Sequence, residues 1–387
     1  MKMTLSKGSS LAISRLCQAG FEAYVVGGCV RDTLMGKKPS DFDVTTSALP
    51  QETKSLFTDF TVFESGIAHG TVAVVIEGET VEITTFRSDG EYLDHRHPVG
   101  VSFTSRLDGD LSRRDFTVNA MAYNEKQGFV DLYGGMKDIE NKVIRCVGEA
   151  ERRFEEDALR ILRALRFSSV LDFDIEEETA LAIHSKAGLL DHVSRERVYV
   201  EIKKLLSGVR ARRIVEEYSD VFKVLFGDIS PKAEALSSCN GDLLRLAAFF
   251  YNTPEAFATL KPSKRENTLL KKVIALAKDS LPDTEVELRR LVASHTEEAV
   301  RLSLELRLAI GESVGGKALL LDKVIKSGKC IKREQLAVNG SDIIAMGVKP
   351  SNEIGSILNM LFDAVINGEV DNDRESLLKI LEQKLEK

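Results

Sequence analysis

At 387 residues, 43% of them hydrophobic, the chain has material for two to four domains with ordinary buried cores. Its 29% charged content is unremarkable, and a formal net charge of -7 excludes a uniformly basic nucleic-acid coat while leaving room for a local basic groove. No apolar run approaches the roughly 18 residues of a membrane span, and the N-terminal stretch lacks a signal-type apolar core, so a cytoplasmic protein with no membrane partner is expected.

In chain order, serines ahead of apolar positions 11, 12, 13 and 16, with Gly20 behind them, predict a short helix over 9–19. Residues 21–26 read as a strand, 30–35 as a short helix closed by Gly36, and 42–45 as a second strand. The β-rich runs 71–76 and 80–86, joined through Glu77, Gly78 and Glu79, predict a hairpin. From 154 onward the period becomes helical, over 154–170, 176–187, 194–206, 209–219, 241–250, 285–309 and 353–366. The fold class is therefore α+β: an N-terminal mixed sheet, not a doubly wound one, followed by an all-helical region. The main boundary falls near 146, with further divisions near 210 and 311. The cysteines Cys17, Cys29, Cys146, Cys239 and Cys330 lack C-x-x-C spacing and read as small buried apolar side chains. His95 and His97 form a near pair without a companion ligand motif.

Asp41 and Asp43 flank Phe42 on a predicted strand, which puts both carboxylates on one face. Such a pair could hold two divalent cations, one activating an incoming hydroxyl and one binding a triphosphate. Glu82, alternating with Val81 and Ile83, is the candidate third carboxylate. D-x-D alone equally describes a solvated strand end, so its setting matters. Gly27 and Gly28 lie where a strand turns into a helix; glycines let phosphate approach the backbone, the helix start offers free N–H groups, and Arg31 offers a charged fork. The bland alternative is a tight strand–helix turn. GGCVRD matches neither the dinucleotide G-x-G-x-x-G nor a P-loop.

In DLSRRDFTVNAMAY, residues 110–123, a strand would place Arg113 and Asp115 on one face and Arg114 on the other. Contact with a triphosphate or ribose is one use of them; bracing the domain is the other. In EEDALRILRALRF, residues 155–167, helical spacing puts Ala158, Leu159, Ile161, Leu162 and Leu165 on the apolar side. Glu156, Asp157, Arg160 and Arg163 face away, with Arg166 near the edge. Charge pairs on a solvent face would explain this pattern. The functional alternative is recognition of a base: a carboxylate accepts and a guanidinium donates. Cytosine presents an exocyclic amine beside N3 and adenine one beside N1, so Asp157 with Arg160 would complement both. Guanine and uracil reverse the pattern.

Five segments, GGCVRDTLMG (27–36), DFD (41–43), RRDFTVNAMA (113–122), DLYGGMKDI (131–139) and EEDALRILRALRF, occur in an order and spacing that resembles the class II, or bacterial-type, tRNA nucleotidyltransferases. These are the CCA-adding enzymes of the tRNA nucleotidyltransferase/poly(A) polymerase family, within the polymerase-β-like superfamily. The resemblance covers about the first 170 residues, and the helical remainder, including 336–361, resembles the same family's tail. It implies a catalytic head over 1–145, a helical neck with the base-recognition helix over 146–210, a body over 211–310 and a tRNA-binding tail over 311–387. It also implies Mg²⁺ on Asp41 and Asp43, with Glu82 as a further catalytic carboxylate. Gly27, Gly28, Arg31 and Arg114 would contact the nucleotide, Asp157 and Arg160 would read the base edge, Glu156 would orient them, and Arg163 and Arg166 would line the same region.

The implied reaction adds C, C and A to the 3′ acceptor end of tRNA from CTP and ATP, releasing pyrophosphate by a two-Mg²⁺ mechanism. Family members also include enzymes that add only CC, only A, or poly(A). The segment 86–103, associated in the family with the final A, is intact and argues against CC-only addition, while A-only and poly(A) addition stay open. A catalytically inactive RNA-binding module is the non-enzyme alternative; the retained DFD, glycines and arginines stand against it. Arg210, Arg212, Arg213, Lys261, Lys264 and Arg265 are positional candidates for phosphate contacts, and monomer and homodimer are equally open.

Overall fold

The computed structural model describes residues 2–89, 101–327, 329 and 331–385. His95, His97, Cys330 and most of the segment 86–103 lie outside the described residues. The chain divides into two compact units, Met1–Ile229 with Thr259–Lys261, and Ser230–Ala258 with Pro262–Lys387. The change from mixed sheet to helix near 146 lies inside the first of them.

The first unit begins with helix α1 (Lys7–Gln18). It starts earlier than the apolar spacing suggests because Ser6, not a later serine, caps it, its side chain accepting from Ser9 N at 3.1 Å. Strands β1 (Ala23–Val26), β2 (Val44–Thr46), β3 (Thr61–Phe63), β4 (Thr71–Ile76) and β5 (Glu79–Thr85) enter one sheet, as do β8 (Met121–Asn124) and β9 (Gly128–Asp131); β6 (Arg87–Asp89) and β7 (Val101–Phe103) pair separately. The sheet order is β3-β4-β5-β2-β1-β8-β9, with β2 parallel to β5 and the other neighbours antiparallel, the mixed sheet expected. The hairpin β4–β5 closes through Glu77 (φ 53°) and Gly78 (φ 79°), so the turn holds two residues and Glu79 joins the strand opposite Ile76.

Period-two alternation sorts the sheet's faces. Val25, Val44, Val72, Val74, Val81 and Ile83 bury one face against Ala12, Ile13 and Leu16 of α1 and against Cys29 and Val30 of α2 (Gly28–Leu34). A third helix, α3 (Pro50–Leu56), follows β2. On the opposite face Tyr24, Val26, Phe86 and Ala122 pack with Leu107 and Leu111 of α4 (Leu107–Ser112).

The predicted strand 42–45 is shifted. Asp41 and Asp43 lie in the extended lead-in to β2, outside the strand, although Val26 N still donates to Asp43 O at 3.0 Å. Among the cysteines, Cys29, Cys146 and Cys239 are buried, but Cys17 is exposed; all four are free thiols.

The segment DLYGGMKDI is structural support for the site. Asp131 caps α5 (Gly135–Glu140), accepting from Gly135 N at 2.9 Å and Met136 N at 2.8 Å, while Gly134 takes the left-handed conformation at φ 75°. A Cβ on Gly135 would sit 2.2 Å from Thr117 O. Asp138, on the same helix, accepts from Thr117 Oγ1 at 2.7 Å. Helix α5 therefore fixes the turn around Thr117–Asn119 at close range.

Beyond it come α6 (Ala150–Glu156), α7 (Leu159–Leu171), α8 (Glu177–Lys186) and α9 (Arg195–Leu206). The single helix predicted over 154–170 is broken at Asp157, which is extended at φ -143° and ψ 102°. Its Oδ1 accepts from Leu159 N at 3.1 Å, a local side-chain bond that competes with helix continuation. The predicted 285–309 helix also divides, into Glu285–His295 and Glu297–Ala309, at Thr296 with φ 81°. The predicted 209–219 helix ends at Glu217 and a further one spans Ser219–Phe226.

The second unit also contains helices Lys264–Lys278, Lys317–Lys326, Gly340–Ala345 and Arg374–Leu385, beyond those expected from the sequence. One apolar cluster there centres on Leu288, Val300, Leu304 and Leu321, another on Ile343, Leu361, Leu377 and Leu381. Buried Arg289 donates to Ile366 O at 2.9 Å and Val365 O at 3.3 Å, satisfying carbonyls at the end of helix Asn352–Asn367. Among the described residues no helix is long and apolar enough to cross a membrane.

Gly135→Ala should destabilise the protein by about 1–3 kcal/mol, the cost of overpacking against backbone. Chemical denaturation compared with wild type measures it. A cost near zero would show that the Thr117 turn yields freely.

Candidate active site

The head contributes a backbone platform and an acidic pair. Gly27, at φ 77° and ψ -127°, ends β1 in a conformation reserved for glycine, and its N–H donates to Met121 O at 3.2 Å. A Cβ there would lie 3.0 Å from Arg114 Nη1, so the guanidinium lies directly over the bare backbone. Gly28 is less constrained, since its Cβ would meet Arg31 Nη2 at an ordinary 3.6 Å.

The parallel register Val44↔Ile83 sets Asp43, one residue before Val44, beside Glu82, one residue before Ile83. All three carboxylates, Asp41, Asp43 and Glu82, are exposed. The Asp43 carboxyl is nevertheless pushed up: the surrounding protein desolvates it, and Asp41 and Glu82 add like-charge repulsion that Arg114 offsets in part. Burial, then the charge of Asp43, pushes the Cys29 thiol to about 12. Among the described residues no group of three or more His, Cys, Asp or Glu side chains is arranged to hold a metal. Asp41 and Asp43 therefore offer two hard carboxylate groups, a donor set that suits a divalent cation keeping water or phosphate oxygens in its remaining positions.

Arg113, Arg114 and Asp115 follow α4 in an irregular turn, not a strand, so the expected alternation of their faces does not hold. Both arginines reach the same fully buried carboxylate, Asp110, at 2.9 and 3.1 Å, and Thr45 Oγ1 of β2 donates to it at 3.4 Å. Asp115 turns the other way. It accepts from Phe116 N at 2.8 Å, Asn119 Nδ2 at 3.2 Å, and Arg163 Nε and Nη2 at 2.8 and 2.5 Å. Burial alone would raise its pKa, but the charge and hydrogen bonds of Arg163, with Asn119, hold it down at about 2. Asn119 Oδ1 accepts from Arg31 at 2.6 Å, and Arg31 also holds Asp32 at 2.8 Å.

The charged side of α7 faces protein, not solvent. Arg160 is only 8% exposed and donates to Glu156 at 2.8 Å, Arg153 O at 3.2 Å and Arg113 O at 2.9 Å. Glu156 also accepts from Arg153 at 2.5 Å. Asp157, in the break between α6 and α7, accepts from Arg197 of α9 at 2.9 Å. Arg166 points at buried Glu201 of α9; the atoms are 3.1 Å apart without the alignment of a hydrogen bond. Around the ring of Phe167 stand Arg31, Arg163 and Arg166, at 5.3, 5.4 and 4.1 Å from its centroid.

These pieces enclose a cleft of about 220 Å³ lined by Arg113, Arg114, Asp115, Asp157, Arg160 and Arg163. Of the candidate residues, Arg114, Asp157, Arg160 and Arg163 meet there. Glu156 supports Arg160 from behind, Arg31 and Arg166 lie around Phe167, and Gly27 underlies Arg114. Sequence reading passed over Asp110, Asn119, Arg153, Phe167, Arg197 and Glu201. The spacing of Asp110 to Arg113 and Arg114, three and four residues, could have exposed the first; Arg197, 40 residues from Asp157, left no local trace. Of the positional basic candidates, Arg210 pairs with Asp172 and Asp174, Arg212 with Glu216, Arg213 with Glu217 and Asp174, Lys261 with Glu196, and Arg265 with Glu298. Lys264 lines a surface pocket with Arg265, Lys272 and His295.

Three family models match the chain: the Poly A polymerase head domain over residues 23–145, the probable RNA and SrmB-binding site of polymerase A over 172–230, and tRNA nucleotidyltransferase domain 2 over 246–381. The chain is 36% identical over 403 residues to the CCA-adding enzyme of Ligilactobacillus salivarius, covering 96% of each protein. It is 36% identical over 395 residues to that of Streptococcus thermophilus, covering 96% of this chain and 95% of the relative. Its fold superposes with a TM-score of 0.82 on the crystal structure of the Bacillus stearothermophilus CCA-adding enzyme in complex with CTP, at 32% identity and 98% coverage of both chains.

Two outcomes follow from the electrostatics. A carboxylate whose pKa is raised costs stability once ionised, so Asp43→Asn should unfold at the same or a slightly higher temperature than wild type in chelator at pH 7. A clearly lower melting temperature would show that Asp43 serves the fold. Asp115 has the opposite sign: held at about 2 against an ordinary 3.8, it contributes fully above about pH 4 and loses its contribution as pH falls through about 2. Asp115→Asn should cost about 3 kcal/mol at pH 7, the lower end for breaking a buried pair, because Arg163 keeps 32% of its side chain exposed. Urea unfolding at pH 7 and at pH 3 should show that difference shrinking in acid.

Proposed function

The chain belongs to the CCA-adding enzymes of the tRNA nucleotidyltransferase family, and we propose that it adds C, C and A in turn to the 3′ end of tRNA, consuming CTP and ATP and releasing pyrophosphate. The observation that carries this reading is the cleft itself: an acceptor, Asp157, stands with the donors Arg160 and Arg163 next to Arg114, whose charge also reaches Asp43. One group could hold a base edge while the other holds phosphates and the reacting end.

In this reading Gly27 leaves room for phosphate against the backbone, and Arg114 above it donates to phosphate oxygens. Asp157 accepts from the exocyclic amine of cytosine or adenine, and Arg160 donates to the neighbouring ring nitrogen. Three hydrogen bonds already fix the Arg160 guanidinium, so turning it toward a base costs little side-chain entropy. Glu156 orients Arg160, Arg163 closes the cleft, and Arg31 and Arg166 support it through Phe167. Asp41 and Asp43 would hold Mg²⁺, with Glu82 adding negative charge behind them. When bound, a pair of such ions activates the terminal hydroxyl and stabilises the leaving oxygen.

The protein donors and acceptors fit C and A alike, so the change from C to A must come from the growing 3′ end altering the pocket. We assign the head to 1–145, the neck to 146–210, the body to 211–310 and the tail to 311–387, and place the enzyme in the cytoplasm with the pool of tRNA precursors.

The deciding experiment supplies Mg²⁺ and tRNAs ending before CCA, after C and after CC, with each nucleotide alone and with CTP plus ATP. Ordered completion to CCA is expected; addition of A alone, or long A runs on generic RNA, would select a relative's activity instead. Asp41→Asn and Asp43→Asn should each lower the rate by about a thousandfold or more while leaving tRNA binding in place.

A further inference from the structure

Helix α9 contributes no side chain to the cleft, yet it carries the partners of two charges from the other side. Arg197 donates through Nη2 to Asp157 Oδ2 at 2.9 Å, and Glu201, one helical turn later, stands 3.1 Å from Arg166. The polarity alternates, plus against minus and then minus against plus, which fixes the register of α9 along the α6–α7 segment. Asp157 sits in the break between the two helices, with an extended backbone that takes its side chain out of the helical pattern. Its Oδ1 is committed to Leu159 N and its Oδ2 to Arg197. Those two bonds set the plane of the carboxylate and the direction of the lone pairs left for a ligand.

We propose that Arg197 is a specificity-positioning residue, holding the Asp157 carboxylate in the one orientation in which it accepts an exocyclic amine and opposes a carbonyl. This rests on the reading of Asp157 as the base-edge acceptor. Arg197 does not line the cleft. Its Nη1 is buried without a hydrogen-bond partner, so its guanidinium is retained at a desolvation cost that the Asp157 bond must offset. With Arg197 removed, Leu159 N is the one hydrogen-bond donor left to the Asp157 side chain among the described residues, and the carboxylate turns about its last torsion. Cytosine and adenine then lose a charge-assisted bond, and uracil and guanine lose the repulsion that excluded them, so both changes move selectivity in one direction.

The test measures kcat/KM for CTP, ATP, UTP and GTP, and KM for tRNA, in wild type, Arg197→Met, Arg197→Lys and Asp157→Ala. Arg197→Met should lower the ratio of correct to incorrect nucleotides by about ten- to a hundredfold, the factor one misplaced charge-assisted hydrogen bond carries, with KM for tRNA unchanged. Arg197→Lys, which keeps the charge but not the fork, should fall between Met and wild type. An unchanged ratio in Arg197→Met, or an equal fall for all four nucleotides, overturns the assignment. If Arg197→Met does not fold, Arg197→Lys decides: a reduced ratio supports the role and a wild-type ratio overturns it. Asp157→Ala separates the two levels. If it leaves the ratio intact, base reading by Asp157 fails and this role with it; if it lowers the ratio and Arg197→Met does not, only the role of Arg197 fails.

Discussion

The buried carboxylate of Asp115 is the joint on which the site depends. It takes two hydrogen bonds from Arg163 of α7, one from Asn119 and one from Phe116 N. Asn119 in turn orients Arg31 of α2. A single ionised group thus fixes an element after the sheet, an element beside it and a helix of the following region. Four hydrogen bonds and an opposite charge are what it takes to keep a carboxylate ionised away from water. The turn that presents Arg113 and Arg114 to the cleft is held between this joint and Asp110, with α5 pressing on Thr117 from behind.

Charge is distributed unevenly by design of that framework. Every arginine around the cleft has a carboxylate or carbonyl partner, so each guanidinium arrives oriented, with fewer torsions left to freeze when a ligand binds. The acidic pair is the reverse case. Among the described residues no cation forms an ion pair with Asp41 or Asp43, Glu82 adds to the repulsion at Asp43, and Asp43 answers by an upward shift in pKa. Paired arginines and strained carboxylates serve different ends. The first arrive with their orientation already fixed, and the second would be relieved by any group of opposite charge.

What was legible in the sequence was local. The β4–β5 hairpin, the opening helix and the glycine platform each declare themselves within a few residues, and their periods and turn chemistry survive in the fold. The Asp157 break was hidden because a helical wheel places Asp157 plausibly on a polar face; only the bond to Leu159 N shows why the helix stops there. The polar side of α7 left a solvent face and a recognition face equally readable, because a charged stripe looks alike whether water or a buried counter-charge opposes it. Phe167 carried no signal in the sequence: it is buried, and its ring stands beside three guanidinium groups from two elements far apart in the chain. Cys17 read as buried and is not, since it falls near the end of α1, past the residues that face the sheet.

A pocket that must accept two bases and refuse two others cannot rely on shape, since cytosine and adenine differ in size more than cytosine and uracil do. It has to rely on the direction of a few hydrogen bonds, and direction is only as good as the supports behind the donor and acceptor. Arg160 has Glu156, Arg153 O and Arg113 O behind it; Asp157, lying in a helix break, has Leu159 N and Arg197. The break frees the carboxylate from helical geometry so that it can face the cleft, and the same freedom creates the need for a brace from outside the segment. Helix α9 supplies that brace through Arg197, from outside the segment that carries the break.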